Sequence, residues 1–365
     1  MASKIESLPL VWITKTSRDG DTNARIGIAE RINSEFFQLE IPSEFCTKNR
    51  ARERLIEARL IHPENPRWPD VIIGPCFHIP YMQIIKTLSN GKTLVVALRP
   101  PVRGLPIKAD REDIEKTDII VSYPYHDNTC LPNIILCDTV ANRVSTEKLR
   151  TKKIKWEPYF NEMSKNRPLI GLLVGGDIGD KRKVFPPEVA KKLGGRINRT
   201  AQQVGGFLFI TTSARTSIEC KDAICSEITV PYAIFDPKTS SDSNPYLGLL
   251  ACAEFLVVTA DSMSMSSEAV SSHKPVYIFY DQEIVEETHS LVTKKLIESG
   301  YARFLGVNTT LDRFDSKHKN SAEIIAKQIH CFLSEKTVPT TKHNNHIYSD
   351  IKKRRSILRS AFFSR

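Results

Sequence analysis

The sequence predicts an α/β protein made of two doubly wound parallel-sheet domains facing each other across a cleft. Three observations carry that expectation. The chain has 365 residues, too many for one ordinary hydrophobic core. Short apolar runs recur along it and are continuous rather than alternating, as strands of a parallel sheet covered on both faces are. Segments with helical spacing separate these runs in two successive series, the pattern of repeated βαβ units.

The first series opens with Leu10-Val11-Trp12-Ile13, followed by a polar loop from Lys15 to Thr22. Ala24 to Ile32 carries Ile28, Ala29 and Ile32 at helical spacing, Phe36 to Leu39 reads as a second strand, and Lys48 to Leu60 is rich in helix formers. Val71-Ile72-Ile73, Thr93 to Leu98, Ile119-Ile120-Val121 and Ile134-Ile135-Leu136 are further strands. Residues 1–150 thus form an N-terminal domain, and the charged stretch 151–167, interrupted by Pro158 and bounded by Pro168, is expected as a linker. The second series spans 168–310. Leu169 to Val174, Phe207 to Thr211, Val230 to Phe235, Phe255 to Thr259 and Val276 to Phe279 are its strands, with helices expected over Pro187 to Val204, Pro245 to Cys252 and Met265 to Ser272. A terminal helix over Ser321 to Ser334, packing back on the lobes, lies in a region 311–338, and a basic tail occupies 339–365.

Composition narrows the function classes. The eight cysteines contain no Cys-x2-Cys pair, which argues against a zinc ribbon, and reduced buried thiols are expected. No apolar run is long enough to span a bilayer, and the N-terminal residues lack signal-peptide blocks, so a cytoplasmic location is expected. The net charge of +10 is concentrated towards the end: from Cys331 onward there are eight basic and two acidic residues. The body is therefore only mildly basic, and no specific nucleic-acid partner is expected.

Ligands of doubly wound sheets bind outside the carboxyl ends of the strands, which is where the candidate residues fall. Asp261, Ser262, Ser264 and Met265 follow the apolar strand ending at Thr259 and open a helix that also holds Glu268. Free amides and hydroxyls at such a helix start suit a diphosphate, and Glu268 suits a ribose diol; a plainly capped helix is the ordinary alternative. Gly175 and Gly176 follow the first strand of this series, where glycine permits close backbone approach. Ser213 and Arg215 follow the second strand, and a guanidinium there is able to clamp phosphate. Asn244 and Tyr246 flank Pro245 at another helix start, a pattern that capping alone explains. In the first domain, Asp21 and His78 sit in loops after strands and are the candidate general bases; a helix cap and a packed histidine are their structural readings. No metal ligand set and no bound cofactor are expected.

Taken together, these segments resemble the elongated-mitochondria (ELM-type) mitochondrial fission protein family. The shared features are the Gly20-Asp21 loop, His126-Asp127, Gly175-Gly176, Ser213 with Arg215, and Asn244-Pro245-Tyr246. Thr259-Ala260-Asp261-Ser262 with Met265 and Glu268-Ala269, then Lys274-Pro275-Val276, complete them. Arg99-Pro100-Pro101, Ala214 and Asn23 depart from the pattern. The resemblance implies a GT-B-like fold of two Rossmann-like domains. It also implies a nucleotide diphosphate or nucleotide-sugar site in the second domain and metal-independent glycosyl transfer with the nucleotide sugar as substrate. A non-catalytic recruitment protein on the same fold is the alternative. In the tail, Ile347, Ile351, Leu358 and Phe362 fall near one helical face beside Lys352, Lys353, Arg354, Arg355 and Arg359. That pattern suits docking on a membrane surface or a protein partner, and equally a solubilising tail or a helix packed on the body.

Overall fold

The computed structural model describes residues 8–16, 19–41, 48–98, 111–123, 133–179, 183–240, 243–316 and 318–337. His126-Asp127, Arg99-Pro100-Pro101 and the tail from residue 339 lie outside them. The described residues fall into two compact units, 8–137 with 322–337, and 138–321.

The first unit runs β1 (Val11–Thr14), α1 (Asp19–Ala29), β2 (Phe36–Leu39), α2 (Lys48–Glu57) and β3 (Val71–Pro75). A 3-10 turn (Cys76–His78) leads into α3 (Ile79–Leu88), then β4 (Leu94–Leu98), α4 (Arg111–Glu115), β5 (Ile119–Ser122) and β6 (Ile134–Leu136). All six strands are parallel, in the order β2-β1-β3-β4-β5-β6. The central strands are buried along their whole length, which is why their sequences are continuously apolar. Helix α1 begins at Asp19, five residues before the expected start. Its acidic and hydroxyl residues Asp19, Asp21 and Thr22 have no apolar periodicity, yet they suit the positive end of a helix.

The second unit opens with α5 (Thr146–Ser164) and continues through β7 (Leu169–Leu173), α6 (Pro187–Gln203), β8 (Phe207–Thr211), α7 (Ile218–Cys225), β9 (Tyr232–Phe235) and α8 (Tyr246–Cys252). Then come β10 (Phe255–Thr259), α9 (Met263–Val270), β11 (Val276–Phe279), α10 (Glu287–Glu298) and β12 (Arg303–Phe304). Its parallel sheet has the order β12-β11-β10-β7-β8-β9, so successive strands build outward from β7 and then restart at β10 on its other side. Helix α6 shows the reason for its form in its sequence: Val189, Ala190, Leu193, Ile197 and Ala201 recur at helical spacing and are all buried.

Residues 151–167 are mostly helix rather than linker. Ser145 caps α5 by accepting from Lys148 N, and Pro158 is tolerated inside it although it removes one intrahelical bond. Aromatic packing offsets that loss: Phe160 is buried, edge-on to Phe209 at 5.1 Å. The last helix, α11 (Ser321–Thr337), belongs with the first unit from Ala322 onward and buries Ala322, Ile325, Ala326 and Ile329 on one face. Glu323 pairs with Arg31 at 3.6 Å.

Candidate functional site

In the second sheet the strand order reverses between β7 and β10, and the crevice outside their carboxyl ends is the switch point at which such sheets hold ligands. The residues there are tied together. Gly175 N donates to Thr259 Oγ1 (2.8 Å) and Gly176 N to Asp261 Oδ2 (2.7 Å), joining the ends of β7 and β10. The turn after β8 joins them from the other side. Ser213 Oγ donates to Gly175 O (2.9 Å), Thr216 Oγ1 also donates to Gly175 O, and Arg215 Nη1 donates to the carbonyls of Gly176 (3.1 Å) and Asp177.

This geometry revises the roles expected of two motifs. The glycines admit protein rather than leaving space: a Cβ on Gly175 collides with the Asp261 carboxylate, and one on Gly176 with the Arg215 backbone. Arg215 is likewise engaged in holding the turn, with Nη2 also 3.6 Å from Asp261 Oδ2. A glycine pair and an arginine read identically in sequence whether they face a ligand or a neighbouring loop. Asp261 itself is 1% exposed. Burial raises its pKa to about 6 against the pull of the Thr259 hydroxyl, Arg215 and the Gly176 N–H. Its Oδ1 has no hydrogen-bond partner among the described residues.

From this crevice α9 departs. It begins at Met263, two residues before the expected start, because Ser262 serves as its cap: Oγ accepts from Met265 N at 3.4 Å and the carbonyl from Ser266 N at 3.0 Å. The amides of Met263 and Ser264, in the first turn, have no intrahelical acceptor. Ser264 and Met265 are half-buried. Farther along the helix, Glu268 Oε2 accepts from Tyr246 Oη at 2.7 Å. Burial raises the Glu268 carboxyl to about 7, while the Tyr246 hydrogen bond and the Arg143 charge oppose that rise. Asn244 Oδ1 accepts from Tyr246 N at 2.9 Å and so fixes the start of the helix that carries Tyr246. The Tyr246–Glu268 pair joins two motifs that the sequence places 22 positions apart and gives no sign of pairing.

The first sheet has its own switch point, between β1 and β3. His78 Nδ1 lies 2.8 Å from Thr14 Oγ1 there. Burial and the nearby Arg25 push His78 down to about 4, so it is neutral at ordinary pH. Arg25, 1% exposed, donates to Thr16 Oγ1 (2.9 Å) and Thr22 Oγ1 (3.1 Å). Asp21 stands in the first turn of α1, half-buried. Gly175, Gly176, Ser213, Arg215, Asp261 and Ser262 are therefore gathered at one switch point, with Ser264, Met265 and Glu268 on the helix leaving it. Asp21 and His78 belong to the other unit. Thr259 and Thr216 complete the knot at the second switch point; in sequence Thr259 stood in the family motif without a role of its own, and Thr216 carried no distinguishing pattern. Among the described residues no cluster of His, Cys, Asp or Glu suits a metal ion, and no helix is long and apolar enough to cross a membrane.

A family model described as Mitochondrial fission ELM1 matches residues 19–333. An uncharacterized protein of Rickettsia prowazekii (strain Madrid E) is 24% identical over 360 residues, covering 87% of this chain and 97% of that protein. The mitochondrial fission protein ELM1 of Arabidopsis thaliana is 29% identical over 150 residues, 40% of this chain and 33% of that protein. Among solved structures, a UDP-N-acetylglucosamine 2-epimerase superposes with a TM-score of 0.53 at 13% identity, covering 92% of this chain and 98% of that one. That likeness bears on the fold, which is GT-B-like with two Rossmann-like domains.

Proposed function

The chain belongs to the mitochondrial fission ELM1 family, and from that premise we propose that its second unit binds a nucleoside diphosphate or a nucleotide sugar at the β7–β10 switch point. One observation carries the reading. The crevice at which a doubly wound sheet holds ligands opens onto the start of α9, where first-turn amides and the Ser262 and Ser264 side chains are grouped. In this reading the diphosphate lies on that helix start, and Glu268, steadied by Tyr246, accepts from the ribose hydroxyls. Arg215, Gly175 and Gly176 hold the crevice in shape rather than grip the ligand. The epimerase of similar fold is named for a UDP-sugar; the likeness brings the architecture to this chain, and the site reading rests on this chain's own residues.

The reaction class we propose is metal-independent glycosyl transfer, with His78 or Asp21 as general base. A neutral imidazole whose Nδ1 is fixed by Thr14 is in the protonation state such a base needs. Thermal-shift screening against nucleoside diphosphates and nucleotide sugars tests the binding step, and the absence of any shift at millimolar ligand overturns it. His78→Ala tests the second step: lost turnover at unchanged nucleotide affinity supports transfer. Wild-type binding without turnover on any acceptor favours recruitment on the same fold. We also read the chain as cytoplasmic, with its basic tail docking on an anionic surface.

A further inference from the structure

Asp261 is the residue at the switch point whose chemistry the binding reading leaves unused. Its fully buried carboxylate lies against the backbone of Gly175, one residue before the Ser262 cap of α9, the helix start on which the diphosphate is placed. Oδ2 accepts the Gly176 N–H, Oδ1 has no hydrogen-bond partner among the described residues, and the Arg215 guanidinium nitrogen 3.6 Å away belongs to an arginine already bonded to two carbonyls. A buried carboxylate meets a second negative charge when phosphate arrives next to it, and two anions close together in a buried site do not both stay ionised.

We propose, resting on the site reading above, that Asp261 takes up a proton when an anionic diphosphate binds at the neighbouring start of α9. The proton comes from solvent and returns to it on release. Among the described residues the charged groups on the elements around this carboxylate are Arg215, Asp177 and Glu268. Arg215 approaches it from the turn after β8. Asp177, after β7, accepts from Phe185 N with its own carboxylate. Glu268, on α9, titrates near 7 and acts in the opposite sense, because a ribose acceptor must be deprotonated. In the free protein Asp261 titrates near 6, so at neutral pH it is mostly ionised before ligand arrives and the uptake is close to one proton.

The test is calorimetry of the full chain with UDP-glucose, ADP-glucose or GDP-mannose, whose diphosphates hold no titrating proton between pH 6 and 8. The titrations are repeated in buffers of different ionisation enthalpy and in a Glu268→Gln background that removes the opposing group. The expected results are uptake of close to one proton at pH 7 and affinity falling by up to about tenfold per pH unit above the free-state pKa. Asp261→Asn, which keeps an acceptor for Gly176 and carries no charge, is expected to abolish the pH dependence and to bind more tightly than the unsubstituted chain at pH 8. Binding with no proton uptake and a flat pH profile overturns the inference and leaves the site reading standing. No binding of any of the three probes at either pH overturns both. Where Asp261→Asn does not fold, the proton count on the chain with Asp261 intact decides alone.

Discussion

Replacing Gly176 with alanine sets a methyl group against the backbone of the β8–α7 turn. The built Cβ overlaps Arg215 O and C and lies 2.6 Å from Thr216 N. No rotamer relieves that, because the obstructing atoms are main chain and the turn is pinned by Thr216 and Ser213. Overpacking of this kind costs about 1–3 kcal/mol. If the turn moves instead, the charge-assisted bond from Gly176 N to Asp261 Oδ2 stretches or breaks, a further loss of about 1.5–3 kcal/mol. The two losses together come to about 2.5–6 kcal/mol, a large share of the stability of an ordinary domain. Gly195→Ala is the matched control. Its Cβ meets only Glu227 Oε2 at 3.6 Å, on the face of α6, so it is expected to stabilise by up to about 1 kcal/mol. The assay is hydrogen exchange across urea, read on the β7, β8 and β10 segments so that the second unit is scored by itself. A Gly176→Ala protein within about 0.5 kcal/mol of the original refutes the claim that these strand ends are locked together.

Three further outcomes are expected. Glu268→Ala weakens nucleotide binding by about 1–3 kcal/mol through loss of a hydrogen bond to a charged group, and equal calorimetric affinities remove Glu268 from the site. His318, 2% exposed and 3.0 Å from Thr139 Oγ1, is pushed down to about 4, first by burial and then by the neighbouring His273. Because the unfolded chain protonates first, near pH 6.5, His318 contributes stability above that pH which is lost as pH falls towards 4. His318→Gln therefore lessens the acid loss by up to roughly 3 kcal/mol, and superimposable melting-temperature–pH profiles speak against it. Truncation after Pro339 removes the basic residues Lys352, Lys353, Arg354, Arg355 and Arg359, each contributing on the order of 1 kcal/mol at an anionic surface. Loss of co-sedimentation with anionic but not neutral liposomes supports docking, and unchanged sedimentation removes the tail from it.

The sheets were legible because burial on both faces forces unbroken apolar runs, and β3, β4, β7, β8 and β10 all stand where such runs do. Boundaries set by capping were less so: α9 starts at Met263 because Ser262 is in place, while apolar spacing alone begins it later. Pro158 argued for a linker, yet local preference yielded to the packing of Phe160 on Phe209. At the site, the residue types were readable from strand ends. What each one touches was not, since the partners of Gly176, Arg215 and Glu268 are 85, 38 and 22 positions away. The short edge strand β12 has two exposed residues and no periodicity to read.

The grouping of α11 with the first unit has a consequence for biosynthesis. Residues 8–137 leave the ribosome without the helix that completes them, and the whole second unit, continuous in sequence, must be made before Ala322 appears. At ordinary elongation rates that interval is roughly ten seconds or more. The second unit is thus able to reach its native state as it emerges. The first waits with the surface later covered by Ile325 and Ile329 open to solvent or to a chaperone. A nascent-chain experiment arrested before residue 322 is expected to yield a protease-resistant second unit above an N-terminal half that is still readily cleaved.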